Sequence, residues 1–323
     1  MIIGASFSHP HLEYLKINPQ NALKEFKKLG FRWIRLGCYW NEIEKTPGKF
    51  NFKKIISLMN FCQKNRINVI LTIGMKAPRY PEYYLPLWID QSNLGKLSKI
   101  GIKNKTITQP LYRFIKQSVL ALKNYSCLKV WQVENEPLSP AGKNHWRISL
   151  PLLKEEINLV KNLDKKRKIL LNCWGEATFL PKLLESVRKL KVDIIGFDTY
   201  FKTPINIPLI KKTFYHRAFS PKKIRKLTKQ LKEQGKEVWI AELQAEPWEP
   251  GELITKKSNP PSFSPQDLGK NLQKAINWEV DGILFWGFEY WLWRKISGDA
   301  RYWQQAETNK IIRRLLCSDR IKK

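Results

Sequence analysis

The chain has 323 residues, 43% of them hydrophobic, and 58 Lys and Arg against 28 Asp and Glu give a formal net charge of +30. That apolar content excludes a globally disordered chain and is enough for one large domain. No apolar stretch approaches the roughly 18 residues of a membrane-spanning helix, so no span is expected.

The basic excess sits in runs such as Lys165-Lys166-Arg167-Lys168 and Lys222 to Lys236. These runs fall in or beside predicted helices, lack interleaved aromatics and match no nucleic-acid motif. They read as solvated outward faces, with no specific nucleic-acid partner expected. The five cysteines (Cys38, Cys62, Cys127, Cys173, Cys317) show no CxxC pair and no zinc-ligand spacing. They read as reduced thiols, and the first residues read as a strand rather than a leader, so a cytoplasmic protein is expected. Oligomeric state leaves no trace in the sequence.

In chain order, the first strand is Ile2 to Phe7, and a helix follows over Asn21 to Leu29, opened by Pro19 and closed by Gly30. Arg32 to Leu36 is the second strand. Lys53 to Lys64 is a helix whose Ile55, Ile56 and Met59 mark a 3.6-residue face, and Asn68 to Ile73 is the third strand. A long Pro- and Tyr-rich loop runs from Ala77 to about Thr108. A helix over Leu111 to Leu122 leads to strand four, Leu128 to Val133; a helix over Leu152 to Leu163 leads to strand five, Ile169 to Cys173. A helix over Phe179 to Leu190 leads to strand six, Val192 to Phe197. The loop Tyr200 to Ser220 and the helix Lys222 to Gln234 precede strand seven, Glu237 to Ala241. The loop Pro247 to Ser264 and the helix Gln266 to Glu279 precede strand eight, Gly282 to Trp286, and a helix near Thr308 to Cys317 ends the chain.

Eight β signals alternating with helices predict an α/β fold: a single-domain (β/α)₈ barrel over residues 1–323, with long loops after strands three, six and seven. An open doubly wound sheet is the alternative, but no Gly-rich phosphate loop follows the first strand. In a barrel the C-terminal strand ends converge on the mouth. Those ends carry Arg35, then Glu134-Asn135-Glu136, Tyr200, Glu242 and Trp286, among many other Trp and Tyr. Two carboxylates across a mouth lined by aromatics are what glycoside hydrolysis needs, one to protonate the leaving oxygen and one to attack the anomeric carbon or activate water.

The segment Trp131-Gln132-Val133-Glu134-Asn135-Glu136-Pro137 resembles the strand-four Asn-Glu-Pro signature of the clan A glycoside hydrolases, both the cellulase-type members and the β-galactosidases. Trp40-x-x-Ile43-Glu44-x-x-Pro47-Gly48-x-Phe50-x-Phe52 is similar to the segment after strand two in that clan, and the interval from Glu136 to Glu242 fits as well. The resemblance implies a (β/α)₈ barrel that hydrolyses a β-linked glycoside with retention. It implies Glu136 as acid/base, Glu242 as nucleophile and Asn135 as partner of the sugar 2-hydroxyl. It further implies Arg35 as the cation that keeps the nucleophile ionised, Tyr200 as its hydrogen-bond donor and Trp286 as the platform under the sugar. The chain departs from the pattern in Thr72 to Pro78, which has no His, and in carrying Glu134 where an apolar or small residue is usual.

Glu134 shares its strand parity with Glu136, so an extended strand turns both the same way, toward a sugar hydroxyl or toward Arg35. Trp40, Trp174, Trp291 and Trp293 read singly as packing residues, yet at least one is expected to stack on substrate, and Trp40 joins the candidate set. His9 and His11 have no carboxylate cluster beside them and are weak metal ligands; one is expected to meet substrate and the other to lie on the surface. Cys38 and Cys173 read as packed thiols. No metal or cofactor is expected. A carbohydrate-binding barrel that has lost turnover is the second functional class, and a nucleic-acid-associated protein the third.

Overall fold

A computed structural model describes residues 1–92, 94–175, 185, 187–207 and 212–321, the side chains of 206, 207, 212 and 318–321 excepted. Twelve strands, β1 to β12 in chain order, are described. Eight of them close into one barrel: β1 (Ile2–Ser6), β2 (Trp33–Gly37), β3 (Asn68–Ile73), β5 (Leu128–Val133), β7 (Lys168–Trp174), β8 (Ile194–Thr199), β11 (Glu237–Gln244) and β12 (Gly282–Trp286). Each barrel strand neighbours the next in sequence and β12 returns to β1. This is the α/β barrel that the alternating signals predict, and the doubly wound alternative falls.

The chain divides into two compact units. One comprises Met1–Ile34, the segment that begins at Trp174, and Gly196–Lys323. Within it β1 pairs in parallel with β12, and β12 with β11; the second pairing slips register between Ile240 and Leu243, around Glu242. The other unit comprises Arg35–Cys173 and the segment that ends at Ile195, and here β3 pairs with β5 and β5 with β7, again in parallel. Strands such as β3, Asn-Val-Ile-Leu-Thr-Ile, are buried at every residue after the first, as a parallel sheet covered on both faces requires.

Several boundaries move for local reasons. The helix expected to begin at Asn21 spans Pro19–Lys28, because the Asn18 side chain accepts the N–H groups of Gln20 and Asn21 and so caps it two residues earlier. The helix expected from Leu111 begins at Lys105: Pro110 lies inside it, buried beside Ile107, Leu111 and Phe114, and does not mark its start. The loop after β8 holds an antiparallel hairpin, β9 (Thr203–Ile207) with β10 (Lys212–His216), which Pro204 and Pro208 disguise in the sequence. The short strands β4 (Lys99–Ile100) and β6 (Arg147–Ile148) pair in parallel. The helices His9–Tyr14, Phe288–Ile296 and Arg301–Thr308 were not expected, and the last helix spans Lys310–Ile321. Most of the helix expected over Phe179 to Leu190 lies outside the described residues.

The lysines of the basic runs face outward, whereas Arg167 turns in to bind Asp164 and the carbonyls of Leu128 and Tyr125. In the helix Pro221–Glu233, Ile224, Thr228 and Leu231 are buried while Lys222, Lys223, Lys226, Lys229 and Lys232 are exposed. Among the described residues no helix is long and apolar enough to cross a membrane.

Candidate active site

In the unit that carries Glu136, the ends of β2, β5 and β7 are tied by a lattice of buried polar side chains. Arg35, 1% exposed on β2, donates from Nε to Gln132 Oε1 at 2.7 Å and from Nη2 to Asn135 Oδ1. Gln132 Nε2 donates to Asn172 Oδ1 at 2.9 Å, and Asn172 Nδ2 donates to Asn135 Oδ1, also at 2.9 Å. The backbone N–H of Glu136 donates to Asn172 Oδ1 at 2.9 Å. The lattice therefore fixes the backbone of the Asn135-Glu136 pair and loads Asn135 Oδ1 with donors, leaving its NH₂ group to donate elsewhere. Sequence reasoning missed Gln132 and Asn172. A lone Asn inside Lys168-Ile-Leu-Leu-Asn-Cys-Trp was the signal available for the second.

Glu134 corrects the parity expectation. The extended strand stops at Val133, and Glu134 and Glu136 take left-handed φ values of +62° and +43°. Glu134 turns away to the loop after β3, where its two oxygens accept the N–H groups of Met75 at 2.8 Å and Lys76 at 2.6 Å. It is 0% exposed, so it binds backbone and not a sugar, and the guanidinium of Arg35 engages Gln132 and Asn135. Gly74, at φ +131°, is required there because a Cβ on it would fall onto the Glu134 carboxylate. Burial pushes Glu134 up to about 8, against the pull of the Met75 and Lys76 N–H groups and of the Lys76 charge.

Trp40 is the second correction. It is 0% exposed, stacks on Phe114 and donates Nε1–H to Glu44 Oε2 at 2.7 Å, while Gly48 N–H donates to Glu44 Oε1 at 2.8 Å. The Trp40 to Phe52 motif is thus a packing device, and Trp40 has no open face to offer a ligand. Burial likewise raises the Cys38 thiol well above its usual range, as a packed thiol requires.

In the unit that carries Glu242, β11 runs on through Gln244, so Glu242 lies inside the strand at its irregularity; such a bulge re-aims a side chain. Glu242 is 3% exposed, and the Tyr200 hydroxyl donates to its Oε2 at 2.7 Å. Thr199 Oγ1 donates to the Glu242 carbonyl at 3.3 Å. Tyr200 packs against Trp174 and Trp248 with ring centroids 5.1 and 5.2 Å away, and those two indoles meet edge to face at 5.6 Å. Trp248 remains 38% exposed. Its backbone N–H donates to Ser262 Oγ at 2.9 Å, and Glu249 binds Ser262 and, at 2.7 Å, the Tyr215 hydroxyl of β10. The loop after β11 is therefore clipped to the hairpin. Trp248 was missed because no periodic pattern orders that loop. Trp286 ends β12, half-buried, opposite Gln244. His9 and His11 are both buried in the helix His9–Tyr14, which corrects the surface placement expected for one of them.

A closed (β/α)₈ barrel with Asn-Glu after its fourth strand, a Glu on its seventh and a Tyr after its sixth defines the class, the clan A glycoside hydrolases. The model for cellulase (glycosyl hydrolase family 5) matches residues 5–248, and the chain belongs to that family. No curated protein matches the chain. Among solved structures it is similar to native xylanase 10B from Thermotoga maritima, with TM-score 0.60 and 15% identity over 99% of this chain and 96% of that one. It is similar also to the β-galactosidase from the psychrophilic Marinomonas ef1 (0.59, 14%, 88% and 54%). A third is the exo-β-1,4-mannosidase from Opitutaceae bacterium strain TAV5 (0.61, 12%, 88% and 51%). The chain spans about half the length of the β-galactosidases it matches.

Proposed function

We propose that the chain is a retaining β-glycosidase in which Glu242 attacks the anomeric carbon and Glu136 first protonates the leaving oxygen, then deprotonates water. The observation that carries this reading is the Tyr200 phenol on Glu242 Oε2, 2.7 Å away, in a buried strand position. A phenol donor fixes one carboxylate oxygen and so orients the carboxylate for attack. A residue held that way is a positioned nucleophile rather than a surface acid.

The other residues follow. Asn135 donates its NH₂ to the 2-hydroxyl, Arg35 holds Asn135 in place for that contact, and Trp286 lies under the sugar that is cut. Trp248 adds a second aromatic face from the loop after β11. Substrates are β-linked oligosaccharides or glycosides, a reading supported by the β-galactosidase and exo-β-1,4-mannosidase among the structural relatives. All 323 residues act as one catalytic domain. The five free cysteines, four of them buried, suit a reducing cytoplasm.

The test is trapping with a 2-fluoro β-glycoside followed by peptide mapping. Label on Glu242 is expected. Label on Glu246 or Glu249 overturns the nucleophile, and no label or turnover with any aryl β-glycoside returns the chain to a carbohydrate-binding barrel.

A further inference from the structure

Lys76 is a lysine with 0% exposure, a placement that Lys almost never takes unless paired. Its Nζ donates to the carbonyl oxygen of Glu136 at 2.8 Å and to that of Ser139 at 3.5 Å, and pairs with Glu82 at 3.3 Å. Its own backbone N–H is held by the Glu134 carboxylate, and the Asn135 N–H donates to the Lys76 carbonyl at 2.9 Å. One residue of the β3 loop thus grips the chain at Glu134, Asn135 and Glu136 in succession.

The grip falls where the backbone needs it. Glu134 and Glu136 both sit at positive φ, a conformation that costs a non-glycine residue about 1–3 kcal/mol and persists only when its surroundings over-determine it. A buried ammonium is itself costly to desolvate, so a carbonyl opposite it is a strong, charge-assisted acceptor. We infer that Lys76 is a positioning residue for the acid/base: by clamping the Glu136 carbonyl it holds that residue in its left-handed turn and so aims the carboxyl at the leaving oxygen. The inference rests on the acid/base role proposed for Glu136. Lys76 touches no reacting atom, and Glu134 serves as its anchor in place of the apolar or small residue expected there.

The experiment is a leaving-group series of aryl β-glycosides assayed with Lys76→Met, a near-isosteric change that removes only the charge and the donors. Misplacing a catalytic group by about 1 Å costs about 10²-fold. Phenyl glycosides, which need protonation, are therefore expected to lose about that much in kcat/KM. Dinitrophenyl glycosides, which leave without a proton, are expected to lose little, and KM is expected to hold for both. Lys76→Arg, which restores charge and donors, is expected to recover part of the loss. Should Lys76→Met not fold, Lys76→Arg carries the same test, with a smaller loss again confined to poor leaving groups. An equal loss on every leaving group, in whichever variant folds, overturns the inference. Glu136→Ala is run beside it: if that variant shows no leaving-group selectivity and no rescue by azide, the acid/base reading itself fails. If it shows both while Lys76→Met loses uniformly, only the role of Lys76 fails.

Discussion

The two proposed catalytic glutamates are held by opposite means. Glu136 is held through its backbone: its N–H is bound by Asn172, its carbonyl by Lys76, and its φ is left-handed, while its side chain is only partly buried. Glu242 is held through its side chain: it sits in a strand, 3% exposed, with the Tyr200 phenol on one oxygen. The difference matches the two tasks. A group that exchanges protons with leaving group and then water needs its carboxyl accessible, so the constraint goes into the chain. A nucleophile needs one oxygen aimed and desolvated, so the constraint goes onto the carboxylate itself.

The largest effects come from deleting the two groups. Glu242→Gln is expected to abolish turnover with every leaving group and to form no covalent intermediate, read by mass spectrometry of the intact protein. Glu136→Ala is expected to lose about 10²–10⁴-fold on poor leaving groups, the usual worth of general acid–base help. On a dinitrophenyl glycoside it should accumulate the glycosyl-enzyme, and azide should release a β-glycosyl azide. An α-azide breaks the contrast between the two residues. Next in size is Tyr200→Phe. A hydrogen bond to a charged group is worth about 1.5–3 kcal/mol, hence about 10- to 10²-fold in kcat. That loss should be the same for good and poor leaving groups, because the phenol serves the nucleophile. A loss confined to poor leaving groups would move Tyr200 to the other carboxylate.

A smaller effect is expected at the aromatic face. Trp248→Ala removes a half-exposed indole whose edge contacts with Tyr200 and Trp174 are of the kind worth about 0.5–1.5 kcal/mol. An increase in KM of about two- to tenfold for oligosaccharides, with aryl monoglycosides little changed, sharpens the assignment of Trp248 to a sugar beyond the cut bond. An equal rise for both substrates assigns it to packing around Tyr200 instead.

The barrel was legible because periodicity reports burial directly. Strands β3, β5 and β12 begin and end where their apolar runs do, and the helix Lys53–Lys64 follows its buried Ile55, Leu58, Met59 and Cys62. Glu136, Asn135 and Tyr200 could be proposed because they follow strand ends, and Glu242 because the apolar run Val238 to Ala241 leads into it, although β11 continues past it to Gln244. What the sequence concealed are contacts between elements. Parity turned Glu134 the wrong way because it assumes an extended chain, and two left-handed residues end that assumption. Trp40 carries a motif, yet the motif is an indole–carboxylate–turn clip centred on Glu44. Lys76 looked like one more member of a large basic excess, and only its full burial distinguishes it from the exposed lysines of the helix Pro221–Glu233.

The smallest expected effect separates the two regions by pH. Near Glu134 the same unit buries a second carboxyl: Glu156 is 0% exposed and neither of its oxygens has a hydrogen-bond partner among the described residues. Burial first, then the charges of Glu134 and Glu155, hold Glu156 well above the ordinary carboxylate range, and Glu134 is pushed up to about 8. Unfolded, both groups titrate near the ordinary value of 4.5. Above that value the folded chain keeps protons that the unfolded chain has released, so stability falls as pH rises. The contribution is whole below the ordinary carboxylate range and is lost as pH climbs through the folded values, by about pH 8 for Glu134. Glu156→Gln is expected to flatten the decline in Tm between pH 5 and pH 9 by a few degrees, on the order of the shift that one kcal/mol gives in a chain of this size. Any cost of burying the amide is common to both pH values and cancels in the difference. Amide exchange should locate the effect: with rising pH, protection is expected to fall first around Met75, Lys76 and Glu134 and to persist at Tyr200 and Glu242. An unchanged slope in Glu156→Gln, or exchange that rises evenly across both regions, would mean that the buried acids Glu134 and Glu156 do not set the pH limit of the fold.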